Sequence, residues 1–228
     1  MIPVYFLYND ELNADENWYR CSKFASQPIS FRSVGSIFAS HKAIAEHCKE
    51  DRFYVVDGDC WIVDNFRFDR EIELKPRSVA VFRARNPING LVYGHGGIKL
   101  FSRDCFSMER LDRPDMTTTL ADAYIKVNVL ASEHRFNYTP FSTWRTAFRE
   151  AVKLSAGLNK NNNDQESQDR LNMWCYTGVE SKFGYFSIQG ARAGVAYADR
   201  ADRDFNMVND FKQIEKEFKK WLGLNNEQ

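Results

Sequence analysis

The chain reads as an α/β fold: a largely parallel, Rossmann-like central sheet with flanking helices, followed by a more helical C-terminal part. Three observations predict it. Short apolar runs alternate with amphipathic segments of helical period from Ile2 to Ile62. One run, Phe53-Tyr54-Val55-Val56, stops abruptly at Asp57-Gly58-Asp59. Beyond residue 140, Phe141, Trp144, Phe148 and Val152 recur on one helical side.

Each element follows from local chemistry. Ile2 to Tyr8 is a buried strand closed by the turn signal Asn9-Asp10. Asn17 to Phe24 reads as a helix and Ile29 to Val34 as a second strand. Ser36 to Lys49 carries Ile37, Phe38, Ile44, Ala45 and Cys48 on one apolar helical face, and the strand ending at Asp57 follows directly. Val79 to Arg85 and Leu91 to Phe101 are strands flanking the turn Asn86-Pro87-Ile88-Asn89-Gly90. Pro140 to Leu154 is a helix with proline near its start. Asn159 to Gln168 is a polar, low-complexity stretch expected to be a mobile loop, and Phe205 to Leu222 a closing amphipathic helix.

Composition bounds the partners. The 228 residues are 43% apolar and include 18 Phe, 10 Tyr and 5 Trp, enough for a sizeable core. Formal net charge is zero, so no global field draws the chain to nucleic acid or anionic lipid, although a local basic groove is compatible with neutrality. Cys21, Cys48, Cys60, Cys105 and Cys175 are odd in number and scattered, which argues for reduced thiols and against a disulfide framework or structural zinc. No stretch is apolar enough to span a bilayer, and the first residues read as a strand. A soluble, cytoplasmic protein is expected.

The acids at the end of the third strand carry the chemistry. Alternate residues of an extended segment project the same way, so Asp57 and Asp59 can address one hard cation. Gly58 lets a ligand approach the backbone. Ligands in α/β sheets bind outside the carboxyl ends of strands. Transfer of a sugar from a nucleoside diphosphate uses this equipment, with a metal countering the charge on the leaving diphosphate. An Asp-Gly turn without a ligand has the same sequence.

The helix bearing Ser40-His41-Lys42 leads into the strand ending in Asp57-Gly58-Asp59, and a glycine-rich strand containing Gly94, Gly96 and Gly97 follows. This order resembles the nucleotide-sugar glycosyltransferases of the GT-A fold. Within that group, Val55 to Asp59, Arg85 to Phe101 and Phe141 to Glu150 look like bacteriophage enzymes that add sugars to hydroxymethylated DNA bases. The GT-A resemblance covers roughly the first half of the chain. It implies a single domain over 1–228, with residues 1–102 the nucleotide-sugar and metal-binding half and 103–228 the acceptor-binding half.

The resemblance also implies roles. Tyr8, Asn9, Lys42, Asp57 and Gly97 would bind the nucleotide-sugar, and Asp57 and Asp59 would hold Mn²⁺ or Mg²⁺, with Asp57 on the metal or the ribose. Asp115, with Asp112 as its rival, would deprotonate the acceptor of an inverting enzyme. Arg85, Tyr93, His95, Lys99 and Arg145 would bind the acceptor, 5-hydroxymethylcytosine or another hydroxymethylated base in phage DNA, in the host cytoplasm if the source is viral. A flipped base would stack on Trp61, Tyr93, Phe141 or Trp144. Arg67, Arg70, Arg77, Arg83, Arg85, Arg103, Arg145 and Arg149 would hold phosphates. Some GT-A enzymes take a third metal ligand, often a histidine, near the C-terminus. No histidine follows His134, which leaves that ligand and the stereochemistry open. Competing readings are a glycosyltransferase acting on protein or polysaccharide, a nucleotidyltransferase lacking the usual Gly-rich loop, a non-catalytic nucleotide-sugar or DNA-binding module, and a structural phage protein.

Overall fold

The structure, a computed structural model, describes residues 1–107, 117, 120–158, 164–200 and 202–224, with the backbone alone at 95, 96 and 164. The chain divides into two compact units. The first holds every strand and runs through Arg135; the second starts at Phe136 and includes Pro87–Leu91. The first unit extends to Arg135 because the last strand, far along the chain, completes the sheet.

In the first unit the order is β1 (Val4–Tyr8), α1 (Ala14–Phe24), β2 (Ile29–Arg32), α2 (Ile37–His47), β3 (Arg52–Asp57), β4 (Cys60–Ile62), β5 (Ser78–Arg85), β6 (Val92–Ser102) and β7 (Ala123–His134). The seven strands form one sheet in the order β2-β1-β3-β6-β5-β7-β4. The expected parallel β1, β2 and β3 are present, with Phe6 level with Ser30 and Val56. The rest corrects the expectation of a largely parallel sheet. β6 is antiparallel to both β3 and β5, and β4 is antiparallel to β7, so the sheet is mixed. The cause is connection length: β5 and β6 are joined by a short turn, which permits only an antiparallel neighbour.

The sheet is also curled, and chain length requires it. β3 and β4 are linked only by Gly58 and Asp59. That link spans at most about 10 Å. In the sheet order β4 lies four strands from β3, roughly 19 Å away were the sheet flat. Curling returns β4 and its partner β7 to the end of β3.

Strand alternation sorts the core. One face presents Val4, Phe6, Tyr54, Val56, Phe82 and Leu100 under Cys21 and Ala25 at α1. The other presents Tyr5, Phe53, Val55, Val81 and Phe101 under Ile44 and Cys48 at α2. Ser36 caps α2 by accepting the Ala39 N–H.

The second unit is helical: α3 (Pro140–Ser155), α4 (Asp164–Tyr176), α5 (Gly184–Ala198) and α6 (Phe211–Trp221). Thr139 and Ser142 form a capping box at α3, with Pro140 in its first turn. Trp144, Phe148 and Val152 pack with Tyr197, Ile214 and Phe218. Two expectations change here. Residues 164–168 of the polar stretch are helical, supported by the Gln165–Asp169 and Gln168–Asn172 side-chain bonds one turn apart and by the Arg170–Glu150 pair. The closing helix is split: Phe205–Asn209 is a 3-10 turn, and Asp210 caps α6 by accepting from Lys212 and Gln213. Among the described residues, no helix is long and apolar enough to cross a membrane.

Candidate functional site

β1, β2 and β3 run parallel, so Tyr8, Arg32 and Asp57 end at the same sheet edge. The Asp57-Gly58-Asp59 turn sits there under tight packing. A Cβ at Gly58 would lie 2.9 Å from Tyr8 Cβ and 3.0 Å from Glu11 Oε2. The turn is held by Asn17, whose Nδ2 donates to the Gly58 carbonyl (2.8 Å), and by the Arg135 N–H, which donates to the Asp59 carbonyl (2.7 Å).

The two acids have different surroundings. Lys99 Nζ lies 3.2 and 3.3 Å from the two carboxylate oxygens of Asp57, its own side chain nearly buried. Asp59 Oδ2 instead accepts from His134 Nε2 at 2.7 Å. A third carboxylate joins them: Glu11, in the β1–α1 loop, accepts the Asn9 N–H at 2.6 Å. Loss of water raises the Asp57 carboxyl pKa despite Lys99, and the Asp59 charge adds to the rise. Glu11 is raised by burial, then by the charges of Asp59 and Asp57. The Asp59 charge adds to the rise of both Asp57 and Glu11, so carboxylates crowd one place, which suits a hard divalent ion. Among the described residues no three acid, histidine or cysteine side chains stand as a complete cage. Magnesium-type ions on phosphates need only one or two protein carboxylates.

The other expected residues fall into groups. Tyr8, half-buried, and Asn9 border the turn. Gly97 precedes Ile98, the partner of Val56, and so lies level with the end of β3. Lys42 is elsewhere: it lines a cleft of about 660 Å³ with Asp51 and Arg52, which open β3 at the opposite edge. Arg85 is exposed at the end of β5, Tyr93 is buried on β6, and His95 is known by its backbone in β6. Arg145, in the second unit, lies over the Phe211 ring at 4.3 Å and donates to Tyr138. Asp112 and Asp115 lie outside the described residues.

Several stacking and phosphate candidates have structural partners. Trp144 is fully buried and stacks on Phe148 at 4.8 Å, and Phe141 packs on Phe218. Arg77 pairs with Asp122, Arg83 with Asn128, Arg103 with the Cys48 carbonyl and Arg149 with the Val208 carbonyl. The guanidinium groups of Arg20 (4.8 Å) and Arg135 (3.9 Å) both lie against the Trp61 ring.

His41, on the helix before the acids, is turned away from any ligand. Only 1% exposed, it donates from Nδ1 to the Ile37 carbonyl and packs against Phe101 and Phe106. Burial, then the Lys99 charge, lowers its pKa to about 3. A lowered histidine pKa means that the unfolded chain takes up the proton first, so stability falls as pH drops below the unfolded value toward about 3. Asp57 and Glu11, with raised values, act oppositely: their contribution is present at acid pH and lost as pH rises through their folded values. Between pH 6 and 4, the His41 contribution amounts to about 1.4 kcal/mol per pH unit. His41→Phe is expected to flatten the acid limb of urea-derived stability; an unchanged slope would show that His41 titrates normally.

Glu11, Asn17 and His134 are the site residues that local sequence reading missed. Glu11 carried a weak signal as an acid in the first β–α loop. His134 carried none, since its approach to Asp59 depends on the curl. No family model matches the chain, and no curated protein or solved structure matches it either.

Proposed function

We propose that the protein is a metal-dependent glycosyltransferase that moves a sugar from a nucleoside diphosphate-sugar to a hydroxyl, with 5-hydroxymethylcytosine or another hydroxymethylated base in phage DNA as the acceptor. The observation that carries the reading is the convergence of Asp57, Asp59 and Glu11 at the carboxyl edge of three parallel strands. Tyr8 and Asn9 border that edge and face the donor's nucleoside. Mn²⁺ or Mg²⁺, held by Asp59 and a neighbouring carboxylate, would supply charge neutralisation for the departing diphosphate. The acceptor oxygen bonds to the anomeric carbon as the bond to the diphosphate breaks. For inversion, Asp115 receives the acceptor proton.

The test is transfer itself. The protein is incubated with Mn²⁺, a panel of nucleotide-sugars and 5-hydroxymethylcytosine DNA, and digested nucleosides are weighed by mass spectrometry. A sugar-sized gain on the modified base is expected. Nucleoside diphosphate release without DNA modification would move the acceptor to protein or polysaccharide, and no turnover with any donor would remove the transferase reading. Mn²⁺ is also expected to raise the melting temperature at neutral pH, because a ligand bound only by the native state adds RT ln(1 + [L]/Kd). That gain should shrink as pH falls, since Glu11 protonates earlier than an ordinary carboxylate. A pH-independent gain would place the ion elsewhere.

A further inference from the structure

We infer that the cation site pairs Asp59 with Glu11 of the β1–α1 loop, and that Lys99 holds Asp57 out of it. The inference deepens the proposed function and relies on it for the diphosphate that completes the ion's coordination. Its first ground is the grip on Asp57. One ammonium lies nearly equidistant from both carboxylate oxygens, 3.2 and 3.3 Å, and its side chain is 6% exposed. A carboxylate neutralised by a fixed, nearly buried cation attracts a second cation poorly. The two acids of the Asp-Gly-Asp pattern thus have different partners, a fixed ammonium for Asp57 and the His134 imidazole for Asp59.

Glu11 supplies what Asp57 does not. Its Oε2 lies 3.0 Å from the position of a Cβ on Gly58, so its carboxylate stands over the middle of the turn. The Asn9 N–H holds it there. Asp59 contributes more than Asp57 to the charge that raises Glu11.

A second, independent observation lies beside the turn. Asn17 is 0% exposed and donates from Nδ2 to the Gly58 carbonyl, while its Oδ1 is buried without a hydrogen-bond partner. A buried amide oxygen beside this turn is a hard donor of the kind that binds a cation or a water carried by one. His134, bonded to Asp59 Oδ2, orients that carboxylate, as a second layer does around metal ligands.

The experiment follows Mn²⁺ directly by the loss of its free-ion paramagnetic resonance signal, on the full chain, with and without a mixture of nucleoside diphosphates. Glu11→Gln and Asp59→Asn should each weaken Mn²⁺ binding by about tenfold or more. Asp57→Asn alone would leave the Lys99 charge unbalanced, so the informative variant is Asp57→Asn combined with Lys99→Met. That change removes one charge of each sign and should keep affinity within about threefold. Gln retains the carbonyl that accepts the Asn9 N–H, and a thermal melt checks that each variant folds. Wild-type affinity in Glu11→Gln, a loss in the double variant equal to that of Asp59→Asn, or no Mn²⁺ binding by the unaltered chain would overturn the inference. Binding that depends on Glu11 in a protein that transfers no sugar would keep the site and remove the transferase reading.

Discussion

Asp59→Ala is expected to lower sugar transfer by about a thousandfold or more, equivalent to roughly 4 kcal/mol of transition-state stabilisation. Asp59 is the acid of the turn that Lys99 does not grip, and its carboxylate is oriented by His134 at 2.7 Å. Alanine removes the ion's anchor where charge grows on the departing diphosphate. The fold should survive. The His134 bond, made to a carboxylate, is worth about 2 kcal/mol net. Its loss is offset by relief of Glu11, whose carboxyl pKa is raised partly by the Asp59 charge. Initial rates and melting curves on the same sample separate the two effects. Transfer at the wild-type rate would show that Asp59 is only a turn residue; a collapsed melt would show that it is structural.

The second large effect concerns stability. Gly190→Ala places a Cβ 2.3 Å from the Trp144 carbonyl oxygen and 2.9 Å from that residue's backbone carbons. Backbone in a capped helix cannot step aside as a side-chain tip can. α3 and α5 would have to separate, loosening the cluster of Trp144, Phe148, Tyr197 and Phe218. Overpacking of this kind costs about 3 kcal/mol, only partly offset by the roughly 1 kcal/mol helical advantage of alanine over glycine. A fall of roughly 4–8 °C in melting temperature is expected for a chain of this size. Gly194→Ala, 2.5 Å from the Phe148 carbonyl oxygen, should act in the same direction. An unchanged melt for both would mean that the helices do not cross there.

Local pattern was a good guide wherever a residue's fate depends on its near neighbours. The run Tyr54 to Val56 is buried throughout because its bulk is aromatic and aliphatic, and the strand ends at Asp57. Helical period located α2 and α3 within a few residues, and Ser36 and Thr139 cap them. Pattern misled where context outweighed composition. His41 is polar and stands in the helix that leads to the acids, yet α2 turns it into the aromatic layer of Phe101 and Phe106. The polar residues 164–168 looked like loop, but their spacing also permits side-chain bonds one helical turn apart.

The sequence by itself determined the alternation from β1 to β3 and the delivery of Asp57, Gly58 and Asp59 to a strand's end. Those follow from periods of two and 3.6 residues and from turn chemistry, which act over a few positions. Only the tertiary structure decided which acid meets which cation. Lys99 reaches Asp57 across 42 positions and His134 reaches Asp59 across 75. Both meetings depend on strand order, on the antiparallel course of β6, and on the curl that the two-residue link between β3 and β4 imposes. Strand order is chosen by the packing of the whole sheet, and no short stretch of residues encodes it.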